Sequence, residues 1–383
     1  MKIVISPQSF KGSLSAMEVA VAMREGALKV FPNANIVICP VADGGDGTLE
    51  TLVDISGGKI HQSTVHNPIG ELISAEWGAM GDDSTAVIEM ARSSGLALLT
   101  LDQLDPLNAS TYGLGELIKN ALDNGFRNFI IGIGGSATTD AGAGMAQALG
   151  IKLLDKNGIS LTPGGIHLKD LYEIDMTSID ARILDSDFQI ACDVTNPLTG
   201  PEGASEVYGP QKGATLKMIK DLDEALENFS QIVIKTINKD ISKLPGSGAA
   251  GGLGAGMIAF TNAKLKPGID IILDAIGLKE KISDADLVIT GEGGMDFQTI
   301  YDKAPIGVAK IANLFNIPTI GISGMLGKDY QVVHDHGIDA ALSIVTGPMS
   351  LSEASSNSRK LISDSVNESL RLIDIGLRMK NTK

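Results

Sequence analysis

Asp193 closes an apolar run, 188–192, and opens a segment that its prolines, Pro197, Pro201 and Pro210, predict to be irregular as far as Lys212-Gly213. A carboxylate at a strand end, followed by a rigid loop with exposed backbone N–H groups, suits a metal ion or phosphate oxygens. The plain alternative is a long Pro/Gly surface loop. Polar clusters of the same kind follow other apolar runs. Ser9-Phe10-Lys11-Gly12-Ser13 lies between the first strand pattern and a helix start, where a lysine can meet a phosphate or carboxylate. Asp43-Gly44-Gly45-Asp46-Gly47 follows the second, with Asp43 the functional candidate and Asp46 a helix cap. Gly132-Ile133-Gly134-Gly135-Ser136 opens a helix after a further strand. Glu292 and Asp296 follow the apolar run 285–290, with Lys303 a few residues on, so a metal ligand or base and a cation come together. Asp296 could equally cap a helix.

Cradle donors, a metal ligand, a cation and a carboxylate to take a hydroxyl proton are the parts of phosphoryl transfer. No Walker A loop is present; the nearest miss, Gly324-Met-Leu-Gly327-Lys328-Asp329, misplaces its first glycine and lacks Ser/Thr. One rival reading exists. Gly132, Gly134 and Ala137, with Asp155 at the end of the next predicted strand, loosely fit a dinucleotide fingerprint. The mixed character of the surrounding pattern counts against it. His61, His66, His167, His334 and His336 are scattered and read as structural or surface residues.

The elements that must position these groups follow from periodicity. The start reads as strand 2–6, helix 16–31 capped by Ser15 with Glu18, strand 35–42, and a helix from Thr48. Shorter, partly alternating runs at 59–66, 72–80 and 85–90 predict antiparallel strands. Helix 112–124, strand 129–133, helix 140–149, strand 151–155 and a long helix, 216–237, come next. After Pro267-Gly268 a strand–helix order returns: strand 285–290, helix 304–315, strands 317–321 and 340–345, helix 352–373. The expected fold is α/β with two domains. A Rossmann-like parallel-sheet domain comes from both chain ends, 1–60 and 270–383, and a mixed α/β domain, 61–269, is inserted between them.

With 383 residues, 43% hydrophobic but only 4% aromatic, the core must be built from Ile, Leu, Val and Ala. The 45 glycines exceed what turns need and point to close backbone approaches to a ligand. A net charge of −15 argues against nucleic-acid binding. Any anionic substrate would need local cations such as Lys11, Lys212 and Lys303 to oppose that field. Cys39 and Cys192 form no disulfide framework or zinc spacing and read as thiols in a reducing compartment. No signal peptide and no membrane-length apolar run are evident, so a cytoplasmic protein is expected, without membrane association.

The ordered set Ser9–Ala16, Ala42–Thr48, Gly132–Ala137, Asp193–Pro197, Gly209–Gly213, Gly248–Gly254, Thr290–Gly293 and Lys303–Gly307 resembles the bacterial glycerate kinase family, type 1, over almost the whole chain. The resemblance implies an enzyme that phosphorylates D-glycerate with ATP and Mg²⁺ in a cleft between the domains, giving 2-phosphoglycerate in preference to 3-phosphoglycerate. It implies small-molecule partners and is compatible with a homodimer. In this reading Asp193 or Asp43 accepts the hydroxyl proton, and Lys11 and Lys303 neutralise phosphate charge. Glu292 and Asp296 hold the metal, while Ser9, Gly134, Gly135, Ser136 and Lys212 contact substrate or phosphate. Gln8 replaces a usual Asp, Leu104 a usual Arg, Thr139 a usual Asn, Ala141 a usual Gly, Gly294 a usual Arg, Phe297 a usual Ser, and Asp302 a usual Gly. The alternatives are an NAD(P)-linked hydroxy-acid oxidoreductase using the Gly132 loop and a non-catalytic small-molecule sensor on a kinase scaffold.

Overall fold

The first residues, Lys-Ile-Val-Ile-Ser-Pro, are β-branched at alternate and adjacent positions, as a strand covered on both faces requires. In the computed structural model, which describes residues 1–42, 47–301 and 303–381, they form β1 (Lys2–Pro7). Ser15 then starts the helix Ala16–Leu28 with a full capping box, its backbone N–H donating to Glu18 at 2.8 Å. The helix buries Val19, Met23 and Ala27, and β2 (Asn35–Ile38) follows. Asp43 and Asp46 lie outside the described residues, as does Asp302.

The next strands are β3 (Lys59–His66), β4 (Leu72–Ala79), β5 (Thr85–Glu89) and β6 (Asn128–Gly132). Then come β7 (Lys152–Leu154), β8 (Glu173–Asp175), β9 (Asp187–Ala191) and β10 (Lys264–Lys266). The chain closes with β11 (Leu287–Met295), β12 (Thr319–Leu326) and β13 (Ala340–Ser343).

Two compact units result, one of Met1–Asp43 with Ile269–Lys383 and the other of Gly44–Gly268. The first holds an all-parallel sheet in the order β13-β12-β11-β1-β2 among the described residues. Its core joins Ile3 and Ile5 to Val19 and Met23 on one helix and Ile362, Val366 and Leu370 on another. The second holds a mixed sheet, β10-β9-β6-β5-β4-β3, in which β3, β4 and β5 are antiparallel and β5, β6, β9 and β10 parallel. Trp77, Phe129 and Phe188 fill its core, and the Trp77 Nε1–H donates to Ser63 and Asn120. The long helix Leu216–Ile237 buries Leu222, Leu226, Phe229 and Val233.

Several boundaries differ from the periodicity reading, strand 35–42 ending at Ile38 and strand 317–321 running over Thr319–Leu326 among them, and three further differences have a visible cause. The strand expected to stop at 290 runs to Met295, because Gly291 brings β11 so near β12 that a Cβ there would stand 2.1 Å from the Ile322 carbonyl oxygen. Glycine serves close pairing there, and Glu292 lies within a strand instead of beyond one. The helix expected from Asp140 starts at Ala143, after left-handed backbone at Ala141 (φ 52°) and Gly142 (φ 73°). The final helix is two: Leu351–Ser356, begun by a capping box of Ser350 and Glu353, and Ser358–Asn381, with Asn357 between them out of helical backbone (φ −106°, ψ 7°).

Candidate active site

Parallel α/β sheets bind ligands beyond the carboxyl ends of their strands. In the first unit β1 delivers Ser9, half-buried, and Lys11, exposed, to that edge. Gly12 takes φ 75° there, and Phe10 bonds Leu14 across the turn at 2.9 Å. The end of β11 lies beside this turn: a Cβ on Gly293 would stand 3.6 Å from the Lys11 backbone nitrogen. One residue earlier, the Glu292 side chain is only 8% exposed. Its Oε1 accepts a bond from the Thr299 hydroxyl at 2.7 Å, and Lys303 Nζ stands 3.7 Å from its Oε2. Asp296 spends Oδ1 on the Gln298 N–H at 2.8 Å, capping a short 3₁₀ turn that carries Thr299. The fold therefore couples Glu292, Thr299 and Lys303, and uses Asp296 to hold the turn that supplies Thr299.

In the second unit β6 ends in Gly132 and leads to Gly134 and Gly135, both exposed, with open space where a Gly134 Cβ would stand. Ser136 is buried and accepts a bond from Lys212 Nζ at 2.8 Å; the same ammonium donates to the Thr138 carbonyl at 2.6 Å. Lys212 is 1% exposed, and burial pushes its pKa down to about 7 against the pull of Asp140. Asp140, fully buried, accepts from Thr111 N–H and Oγ1–H, both at 2.8 Å, and from the Gly142 and Gly144 N–H groups at 3.1 Å. Burial still raises its carboxyl above the ordinary range. Lys212 and Asp140 thus clamp the loop after β6 from opposite ends. Asp193, exposed, lies just past β9, and its Oδ1 accepts the Gly268 N–H at 2.8 Å. Asn196 is locked behind it, donating to the Glu202 carbonyl and accepting from Tyr208 OH.

Sequence reading missed Asp140, Thr299 and Glu89. Glu89 is buried at the end of β5, where its Oε1 accepts the Leu49 N–H at 3.0 Å and its Oε2 meets Arg92 at 2.9 Å. It thereby anchors the helix Thr48–Ser56. An acid ending an apolar strand was the available signal for Glu89; Thr299 carries none. The histidines read as structural: His61 stacks on Trp77, His66 meets Glu116, and His334 Nδ1 contacts the Ile338 carbonyl at 2.8 Å.

Two observations weigh on the chemistry. Asp155 does not stand beside β6: β7 pairs with β8 in a separate sheet, and Asp155 accepts N–H bonds from Asn157 and Ile159 within a turn. The acid a dinucleotide fold needs is therefore misplaced, and the oxidoreductase reading fails on topology. Among the described residues no three His, Cys, Asp or Glu side chains gather to hold a metal. Magnesium commonly needs only one or two carboxylates beside substrate phosphates, which Glu292 fits.

The profile of the glycerate kinase family matches residues 3–374. The chain belongs to this family. It is 51% identical to a glycerate kinase of Halalkalibacterium halodurans, over 92% of this chain and 93% of that one. It is 50% identical to glycerate 2-kinase of Escherichia coli K12, again over 92% and 93%. A crystal structure from Salmonella typhimurium LT2, provisionally assigned as glycerate kinase 2, superposes with a TM-score of 0.92 at 46% identity and covers 99% of each chain. The chain is accordingly a phosphotransferase of the glycerate kinase family, and its two-unit α/β fold is the fold of that relative. Among the described residues no helix is long and apolar enough to cross a membrane.

Proposed function

We propose that the enzyme transfers the terminal phosphoryl group of ATP, as its magnesium complex, to the 2-hydroxyl of D-glycerate, giving 2-phosphoglycerate. The observation that supports this most directly is the buried Glu292 beside Lys303, at the strand edge that also carries Lys11. Phosphoryl transfer relies on positioning and charge compensation, and this edge supplies both signs of charge. Half of the aligned residues are shared with the Escherichia coli relative whose name specifies the 2-position.

In this reading Lys11 and Lys303 oppose the negative charge of the transferred group. Gly134 and Gly135 offer backbone donors to an anion, with Ser136 and Ser9 beside the substrate oxygens. Lys212 holds Ser136 in place. Asp193 accepts the proton of the attacking hydroxyl, with Asp43 as the second candidate base. Glu292 would hold Mg²⁺, with Asp296 supporting it; when bound, the ion neutralises phosphate charge. The reading places the enzyme in the cytoplasm, where ATP is at hand and Cys39 and Cys192 stay reduced.

Phosphorus NMR of the product from ATP and D-glycerate tests activity and regiochemistry together. Coupling to the single C2 proton gives a doublet and is the expected result. A triplet from the C3 methylene would move the reaction to the 3-hydroxyl. Absence of any new phosphomonoester would sink the kinase reading of this chain.

A further inference from the structure

A cavity of about 480 Å³ opens in the first unit at the carboxyl ends of β11, β12 and β13. Small-molecule sites run from roughly 300 to 1,000 Å³. One end is bordered by Lys11 and Gly293, the residue after Glu292. The other is walled by Met325 past the middle of β12, Val345 after β13, and Leu351 and Ala354 on the helix Leu351–Ser356. Met325, Val345 and Leu351 are exposed apolar side chains gathered on one rim, an arrangement that marks a binding surface. Three of the serine donors around the cavity are already committed. Ser343 Oγ donates to the Gly324 carbonyl, Ser350 Oγ to Glu353, and Ser13 Oγ to Ser358. What remains is a largely apolar slot with a cation at one end, and Gly324 keeps β12 so close to β11 that a Cβ would stand 2.4 Å from the Gly293 carbonyl oxygen.

We propose that this slot receives the adenine and ribose of ATP, with the phosphates leaving it past Lys11 toward Glu292. A nucleotide matches both ends: a flat apolar base for the Met325–Leu351 rim and a polyanion for Lys11. Glycerate is too small and too polar for the slot. The inference rests on the reading of the enzyme as an ATP-dependent kinase, and it adds where the base binds.

Two variants test it. Ala354→Trp fills the slot without adding charge. Leu351→Asp places a charge where apolar contact is needed; Leu351 is 85% exposed and opens its helix, where an acid is well tolerated, so folding is spared. Initial rates would be measured against ATP and against D-glycerate, with thermal melts as the folding control. We expect each variant to raise KM for ATP by about tenfold or more, while KM for D-glycerate stays within about threefold. Unchanged KM for ATP in both folded variants, with an active wild type, would overturn the slot and leave the kinase reading standing. A wild type that releases no ADP with D-glycerate would overturn both. If Ala354→Trp fails to fold, Leu351→Asp alone decides.

Discussion

Three side chains carry the clearest predictions. Asp193 lies past a buried strand, where its Oδ1 accepts the Gly268 N–H at 2.8 Å, a bond that helps fix the direction of its carboxylate. Asp193→Asn keeps the shape and removes the basicity. We expect kcat to fall by about a hundredfold or more, the loss that follows removal of a general base. Unaltered magnesium dependence would fit the base role, and a raised magnesium requirement a ligand role; wild-type turnover would exclude both and move the role to Asp43. Lys11→Met removes a charge from an exposed turn that packing does not need, and turnover is expected to drop about a hundredfold with the fold intact, as for a positioned electrostatic group. Lys212 behaves differently because it is buried. Its native pKa of about 7 lies below the ~10.4 of an unfolded chain. Between those values the unfolded chain keeps a proton that the native state has released, so this group makes stability rise with pH from about 7 toward 10. Below pH 7 both states hold the proton and the penalty of burying the charge is fully present. The urea midpoint of wild type should therefore climb relative to that of Lys212→Met between pH 7 and 9. Parallel profiles would show that the ammonium is not strained by burial.

At the scale of elements, the loop between β6 and the helix Ala143–Ala148 is held by contact with the segment Ala249–Phe260, which left-handed backbone at Ala250, Gly251 and Gly252 breaks before its helical part resumes. Gly256 of that helix touches the loop backbone: a Cβ there would stand 2.2 Å from the Ala141 carbonyl oxygen. Ala141 already carries φ 52°, so the loop has little freedom to move away. Gly256→Ala favours the helix by propensity yet drives the loop outward. We expect a net destabilisation of about 1–3 kcal/mol, the usual cost of overpacking, together with a higher KM for D-glycerate. Denaturant melts and initial rates would show whether the two effects appear together. A stabilised variant with unchanged KM would mean that the loop is not set by this helix.

At the scale of the whole molecule, the chain carries −15 charges and is proposed to bind two anions. Local cations cannot do this alone, and the few carboxylates near them need a counter-ion once phosphates arrive. Glycerate-dependent ADP release is therefore expected to vanish in excess EDTA and to return with added Mg²⁺. Full activity in chelator would remove the metal role of Glu292. The division into two units, each with its own core, also matters at this scale. Gly256 and Asp193 belong to one unit, and Ala354 and Lys11 to the other.

Local signals determined a good deal on their own. The capping box of Ser15 and Glu18, the strand Lys59–His66 and the helix Leu216–Ile237 stand where periodicity places them, because each depends on neighbours within a few residues. The order of Gly, Asp and Lys clusters identified the family, because each cluster is a short strand-end motif. Tertiary structure decided what those clusters do to one another. Glu292 lies in a strand because β12 pairs through its glycines, and it meets Lys303 and Thr299 only through that placement. Lys212, read as a phosphate contact, is buried against Ser136 across 76 residues of sequence. Asp155 loses its dinucleotide role because β7 joins another sheet. Spacing along a chain specifies a turn or a cap, but burial, pairing and the charge state of a group come from segments that meet only in three dimensions.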